Sequence, residues 1–301
     1  MCRAAITRRL AATGFTLIEI MVAMALLTVI VIGLMAMFGQ TQKAFRVGMA
    51  QTDQLEGGRM SSDLFRQDFQ GITPTDQTNG VNFFAEIPNY SPTLMTLPGA
   101  GVLRTNIFQD VFFMARNNQY WNGIGYYVRT NPSYFGNMSP VGTLYRFETN
   151  VHVMNFNGNG YEPFLAFQNS TNPSSISKVL DGVVEFHVRC FDRDGVWITN
   201  RSQISTNANA QDFVRITNSF NVPGSIAPGE VLFYGFSNNV APAYVELEVG
   251  VLEPAVLKRL KSIPSPVGQS NFLASHAGNV QMFRQRIAVR NVDPSAYSSQ
   301  P

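Results

Sequence analysis

From Ile20 to Phe38 the chain runs IMVAMALLTVIVIGLMAMF, nineteen successive residues without a charge. A helix rises 1.5 Å per residue, so about 20 apolar positions cross a hydrocarbon core, and this stretch reads as a membrane helix. An ordinary secretory signal is followed by small residues of the A-x-A kind; none follows Met35, and the break in character lies in front of the apolar run, at Gly14. Glu19 places one carboxylate at the head of the run, within the apolar stretch from Phe15 to Phe38, where an ionised acid costs roughly 2.5 to 3.5 kcal/mol. It therefore calls for a partner or a role.

The hexapeptide Gly14, Phe15, Thr16, Leu17, Ile18, Glu19, behind a short leader carrying Arg3, Arg8 and Arg9, resembles the processing site of type IV prepilins and of type II secretion pseudopilins. The resemblance implies that a membrane prepilin peptidase and methyltransferase cuts after Gly14 and methylates Phe15, and that Glu19, fifth in the mature chain, serves assembly. The physical counterpart is simple: a cationic amine at Phe15 of one subunit can meet Glu19 of another, weakly screened in hydrocarbon. The alternative is an uncleaved anchor with Glu19 at headgroup level.

Removal of residues 1–14 would lower Lys plus Arg from 22 to 19 against 20 acids, a mature charge of −1, so no global basic footprint for nucleic acid remains. The same cut would remove Cys2 and leave Cys190 alone, so that no intrachain disulfide forms and the thiol is expected in the interior. The leader arginines favour a cytoplasmic amino terminus, and the resemblance then implies a single pass through the bacterial inner membrane with the head in the periplasm.

Beyond Phe38, residues Phe45, Met49, Leu64, Phe65, Phe69 and Ile72 keep helical spacing until Pro74. A helix from Phe15 to Ile72 would be roughly 85 Å long, its outer half serving as the spine of a head. Gly57-Gly58 is the expected weak point. Ala23, Ala25 and Gly33 allow close helix approach; the chain departs from many major pilins in lacking a kinking proline within the membrane helix, where Gly33 and Gly39 are the only candidates for local softness.

From Thr73 to Ser177, short aromatic runs (DVFFMAR, IGYYVRT, GTLYRFETN) alternate with turn clusters (NNQYWNG, NPSYFGN, NFNGNGYEP), the pattern of strands and extended loops. Tyr120, Trp121, Tyr126, Tyr127 and Tyr134 form either a sugar- or partner-binding surface or strand packing. Further on, VVEFHVRCF alternates Val184, Phe186, Val188 and Cys190 on one face with Glu185, His187 and Arg189 on the other. DRDGVW is a turn returning Trp197 to that layer. YVELEVGV points Val245, Leu247, Val249 and Val251 inward, and MFRQRIAVR points Phe283, Ile287 and Val289 inward. Their outer rows, Glu246 and Glu248 against Arg284, Arg286 and Arg290, predict neighbouring antiparallel strands. This carboxyl-terminal series is similar to the J-type minor pseudopilin and to the related W-type minor pilins.

The expected fold is α+β, type IV pilin-like: leader 1–14, membrane-spanning helix 15–38, periplasmic continuation 39–72, and a β-rich head 73–301 with a flexible C-terminal tail. His152, His187 and His276 are far apart in sequence, and G-x-S-x-G, Walker A, H-E-x-x-H and C-x-x-C are absent, so no cofactor, metal or catalytic site is expected. Asp192, Asp194 and Gly195 read as a tight turn rather than a calcium loop. Lys258, Arg259 and Lys261 read as a solvated helix end. The implied partners are the prepilin peptidase, other minor pseudopilins or pilins, and the inner membrane. Three roles remain: a minor pseudopilin of type II secretion, a pilus tip protein binding glycans or DNA, and a membrane-anchored enzyme.

Overall fold

The structure, a computed structural model, describes residues 16–75, 80–87, 94–95, 104–129, 140–156, 161–169, 173–199, 214–218, 231–237 and 240–291. Tyr134 and the expected tail fall outside them. The chain divides into two compact units, Met1–Gln51 and Thr52–Pro301. Helix α1 (Leu17–Gln70) supplies the described part of the first unit and continues into the second. Within the first unit its apolar side chains are exposed, as a membrane helix requires when no lipid surrounds it.

In the second unit, α1 runs through Gly57 and Gly58 without a break, contrary to the expected weak point. The reason is packing. A Cβ on Gly58 would lie 2.1 Å from Cζ of Phe283, so the glycine lets an aromatic ring seat directly on the helix backbone. Phe65, Phe69 and Ile72 then enter the main core, with Phe65 5.0 Å from Tyr126 and Phe69 4.7 Å from Phe113 between ring centroids. The helix stops two residues before Ile72, where Gly71 N–H bonds to Asp68 C=O and Thr73 N–H to Met114 C=O. Pro74 lies beyond a stop already made.

Strands β1 (Val81–Glu86), β2 (Leu94–Met95), β3 (Arg104–Thr105), β4 (Asp110–Asn117), β5 (Tyr120–Arg129), β6 (Gly142–His152), β7 (Ile176–Phe191), β8 (Val214–Asn218), β9 (Val231–Ser237), β10 (Tyr244–Leu252) and β11 (Val280–Ala288) follow in order. Among the described residues nine of them form one antiparallel sheet, ordered β11-β10-β7-β6-β5-β4-β1-β9-β8, while β2 pairs with β3. The predicted pairing of the acidic and basic rows is present: Glu246 stands opposite Arg286 and Glu248 opposite Arg284. One sheet face joins Phe65, Phe69 and Ile72 of α1 in the main core.

Helix α2 (Glu162–Gln168), which the turn-rich sequence around it concealed, buries Phe164 and Phe167 in a second cluster with Phe84, Phe112, Trp121, Tyr127 and Phe147. Helices α3 (Pro254–Lys261) and α4 (Pro266–Ser275) close a third, in which Leu257, Leu260 and Leu273 meet Val184, Leu252 and Val280. The aromatic run therefore builds the interior rather than a binding surface: Trp121, Tyr126 and Tyr127 are buried, and Tyr120 is exposed.

One expectation for β7 is corrected. Its register with β10 shifts between Gly250 and Val251, so Val183 rather than Val184 joins Phe186, Val188 and Cys190 in the main core. The extra residue of a bulge reverses which face each later side chain occupies. Glu185 and His187 do share the opposite face, yet both are buried. Where β6 leaves β7, the segment 106–109 takes over the vacated edge: Phe186 N–H donates to Ile107 C=O at 2.8 Å, and Gln109 N–H to Phe186 C=O at 3.0 Å. Ile107 N–H also donates to Glu185 Oε2 at 2.8 Å, which gives the buried carboxylate a partner.

Candidate functional site: the amino-terminal helix and the head that follows it

The helix begins with a T-x-x-E sequence, and the structure uses it as a capping box. Thr16 N–H and Thr16 Oγ1 both donate to Glu19 Oε2 at 2.9 Å, and Glu19 N–H reaches back to Thr16 Oγ1 at 3.4 Å. The first turn of a helix leaves N–H groups without partners, and an anion there also suits the helix dipole. The carboxylate expected to wait for another subunit's amine is thus already held by its own chain through one oxygen. Thr16 is the residue that the sequence reading passed over, although the capping signature was in view. Gly14 and Phe15 lie outside the described residues. The span Leu17–Arg46 is long and apolar enough to cross a membrane.

In the head, several titratable groups have structural partners. Asp192 Oδ1 accepts from the N–H groups of Asp194 and Val196 at 3.0 and 2.8 Å, an Asx-type turn in which this ligand oxygen already serves the backbone. Trp197 returns to bridge Phe191, as the turn reading requires. Among the described residues no group of three His, Cys, Asp or Glu could hold a metal ion. His152 accepts from Met154 N–H, His187 is buried in β7, and His276 stacks on Phe272 with centroids 4.0 Å apart. Cys190 is fully buried, and burial pushes its thiol well above its usual range, where it is inert.

The basic end of α3 is partly engaged. Lys261 Nζ lies 2.9 Å from Asp181 Oδ2, and Asp181 Oδ1 also accepts from Thr143 Oγ1 and from Gly182 N–H, both at 2.9 Å. Burial alone would raise this carboxyl; the hydrogen bonds from Lys261 and Thr143 outweigh it and hold it at about 2. Gly182 follows with φ +74°, a left-handed conformation natural to glycine.

A second polar cluster ties α1 to the sheet. Asp68 receives Arg146 Nε at 2.6 Å and Arg146 Nη2 at 3.1 Å, and the Tyr126 hydroxyl donates to the same carboxylate. Burial, then the neighbouring Asp68 charge, pushes the Tyr126 phenol well above its usual range. Burial works against the charge on Arg146, but its bonds to Asp68 and Glu148 keep it firmly protonated.

Comparison with known families matches the prokaryotic N-terminal methylation motif at residues 9–35. No curated protein and no solved structure matches the chain. The matched segment covers Gly14, Phe15 and the Thr16–Glu19 box as well as most of the apolar run, as far as Met35. The motif implies processing by a prepilin peptidase, assembly with other pilin-like subunits and a structural rather than an enzymatic role. An apolar helix followed by a β-rich head is compatible with a pilin-like architecture, and the helix is consistent with a single-pass anchor. Together these observations support a type IV prepilin-like family for this chain.

Proposed function

We propose that the chain is a minor pseudopilin, a non-catalytic subunit of the tip or initiation complex of a type II secretion pseudopilus. In this reading residues 1–14 are a leader, Gly14 is the cleavage glycine, Phe15 the methylated terminus and Glu19 the assembly glutamate. The membrane helix 15–38 holds the subunit in the inner membrane until assembly, with the amino terminus cytoplasmic. The continuation 39–72 and the head 73–301 stand in the periplasm. The observation that carries the reading is the methylation motif coinciding with a helix start whose carboxylate is fixed by Thr16.

The bonds within the box leave Glu19 Oε1 without a contact among the described residues. A neighbour's terminal amine can approach that oxygen without dismantling the cap. The bulk of the second unit, residues 52–301, suits a capping or initiating position, because a large head hinders dense helical packing along a filament.

Mass spectrometry of the purified protein tests the first step: the expected mature chain starts at methylated Phe15, and a chain retaining residues 1–14 in its working state refutes it. Cross-linking to neighbouring subunits then separates the systems. Adducts with type II secretion pseudopilins support the proposal, whereas adducts confined to type IV pilus subunits assign the chain to a pilus tip. Uniform distribution along filaments overturns the tip position.

A further inference from the structure

Among the described residues, strand β11 is the outer strand of the nine-stranded sheet and pairs with β10 alone. Its nine residues, VQMFRQRIA, contain no proline or glycine, and the register runs without a shift from Tyr244 opposite Ala288 to Leu252 opposite Val280. The two ends of the ladder fix its parity. Val289 N–H bonds to Ala243 C=O at 2.9 Å, and Glu253 N–H to Asn279 C=O at 3.0 Å. Hydrogen-bonded and non-bonded pairs alternate in an antiparallel ladder. Phe283, Gln285 and Ile287 therefore bond to β10, while the N–H and C=O groups of Met282, Arg284, Arg286 and Ala288 face the open edge.

Proteins ordinarily blunt such an edge with bulges, prolines or charges held across it. Here the charges are turned away from it. Arg284 Nη2 bonds back to Glu246 Oε1 on β10 at 2.5 Å, and the Arg286 guanidinium lies 3.7 Å from the centre of the Phe191 ring on β7. Arg189, Arg284 and Arg286 gather around Glu246 and Glu248. At the strand edge the Arg284 and Arg286 side chains stay 60% and 42% exposed, whereas the Glu246 side chain they share is 11% exposed. On the other face Phe283 is only partly buried, and the Oε1 atom of Gln285 is buried without a hydrogen-bond donor.

We propose that the open edge of β11 receives a strand from a different chain, one carrying acidic residues beside Arg284 and Arg286 and apolar residues beside Phe283 and Ile287. Main-chain bonds supply the attachment and the alternating side chains the selectivity, as in other cases of strand addition. A second copy is the wrong partner: two antiparallel β11 strands would set the arginine rows against each other, and like charges directly opposite are unfavourable. The inference rests on the head alone, so it stands or falls independently of processing at the amino terminus.

The test uses the full chain in detergent micelles with two labelled nonapeptides, one alternating Val and Glu, the other Val and Lys. Fluorescence anisotropy is expected to show the Glu peptide binding at least about tenfold more tightly, with Arg284→Ala/Arg286→Ala erasing the preference. Ala288→Pro removes an N–H that faces the open edge, so the β10 ladder stays intact while peptide affinity falls about tenfold. Hydrogen exchange is expected to show fast amides at Arg284, Arg286 and Ala288, slow amides at Phe283, Gln285 and Ile287, and protection of the fast set by the Glu peptide. Equal binding of both peptides, or unchanged binding by Ala288→Pro, overturns the proposal. So does protection of the edge amides in the chain alone: concentration-dependent protection assigns the edge to a second copy, and concentration-independent protection to residues 292–301 of the same chain.

Discussion

Replacing Asp68 with alanine probes what fixes the head onto its spine helix. The Asp68 side chain is 8% exposed, and it neutralises Arg146, whose side chain is 15% exposed, while accepting the hydroxyl of fully buried Tyr126. Removing one member of a buried ion pair costs about 3 to 5 kcal/mol, because the other charge is left without compensation. Glu148 remains beside Arg146, with its own side chain 45% exposed, so the loss should sit at the lower end, about 3 kcal/mol. For a unit of the size of residues 52–301 each kcal/mol moves the midpoint by about 2 to 4 °C, so a fall of about 6 to 12 °C is expected. Urea and thermal unfolding of the full chain in micelles, followed through Trp121 and Trp197, reads the head directly, since both tryptophans belong to it. A triple replacement, Asp68→Leu with Arg146→Met and Tyr126→Phe, should recover at least half of the loss, because an apolar cluster of similar volume needs no compensation. A loss below about 1 kcal/mol for Asp68→Ala, or a triple variant no better than the single one, refutes this account.

The two adjacent glycines of α1 should respond in opposite directions. Gly57→Ala, whose new Cβ meets nothing nearer than Leu180 Cδ1 at 3.9 Å, should stabilise the head by about 0.5 to 1 kcal/mol. Gly58→Ala should destabilise it by about 1 to 3 kcal/mol in the same urea titration, because the methyl group collides with the Phe283 ring. For Asp181 the folded value of about 2 lies below the ordinary 3.8, so its stabilising contribution is complete above about pH 4 and disappears as pH falls through 2. Lys261→Ala should move that acid limb of an unfolding-versus-pH curve upward; an unmoved limb would reject the pairing. Glu19→Ala is expected to leave membrane insertion normal, measured by carbonate extraction, while reducing incorporation into filaments. Thr16→Ala should weaken the helix start by about 1 kcal/mol, seen as faster amide exchange over the first turn.

Several features were legible because they depend on one segment's own periodicity or on residues adjacent in sequence. The uninterrupted apolar run announces a helix suited to lipid, and the hexapeptide before it carries the methylation motif. Alternation placed Cys190, Val245, Leu247, Val249 and Ile287 in the core and matched the acidic row of β10 to the basic row of β11. The capping box was equally local, needing only Thr16 and Glu19.

What the sequence could not decide depends on residues far apart along it. Asp68 meets Arg146 across 78 positions, and no spacing rule within α1 or β6 announces that contact. Gly58 looks like a flaw in a helix until Phe283 arrives to fill the space above it. Alternation in β7 set Glu185 and His187 on one face, but not that both are buried or that Ile107 N–H, 78 positions away, partners the Glu185 carboxylate. A single bulge opposite Gly250 was enough to exchange Val184 for Val183 in the core. Local patterns determine what each element can bury, because side-chain direction follows the backbone period. Only the assembled sheet decides what each element does bury, because burial depends on the neighbour that covers it.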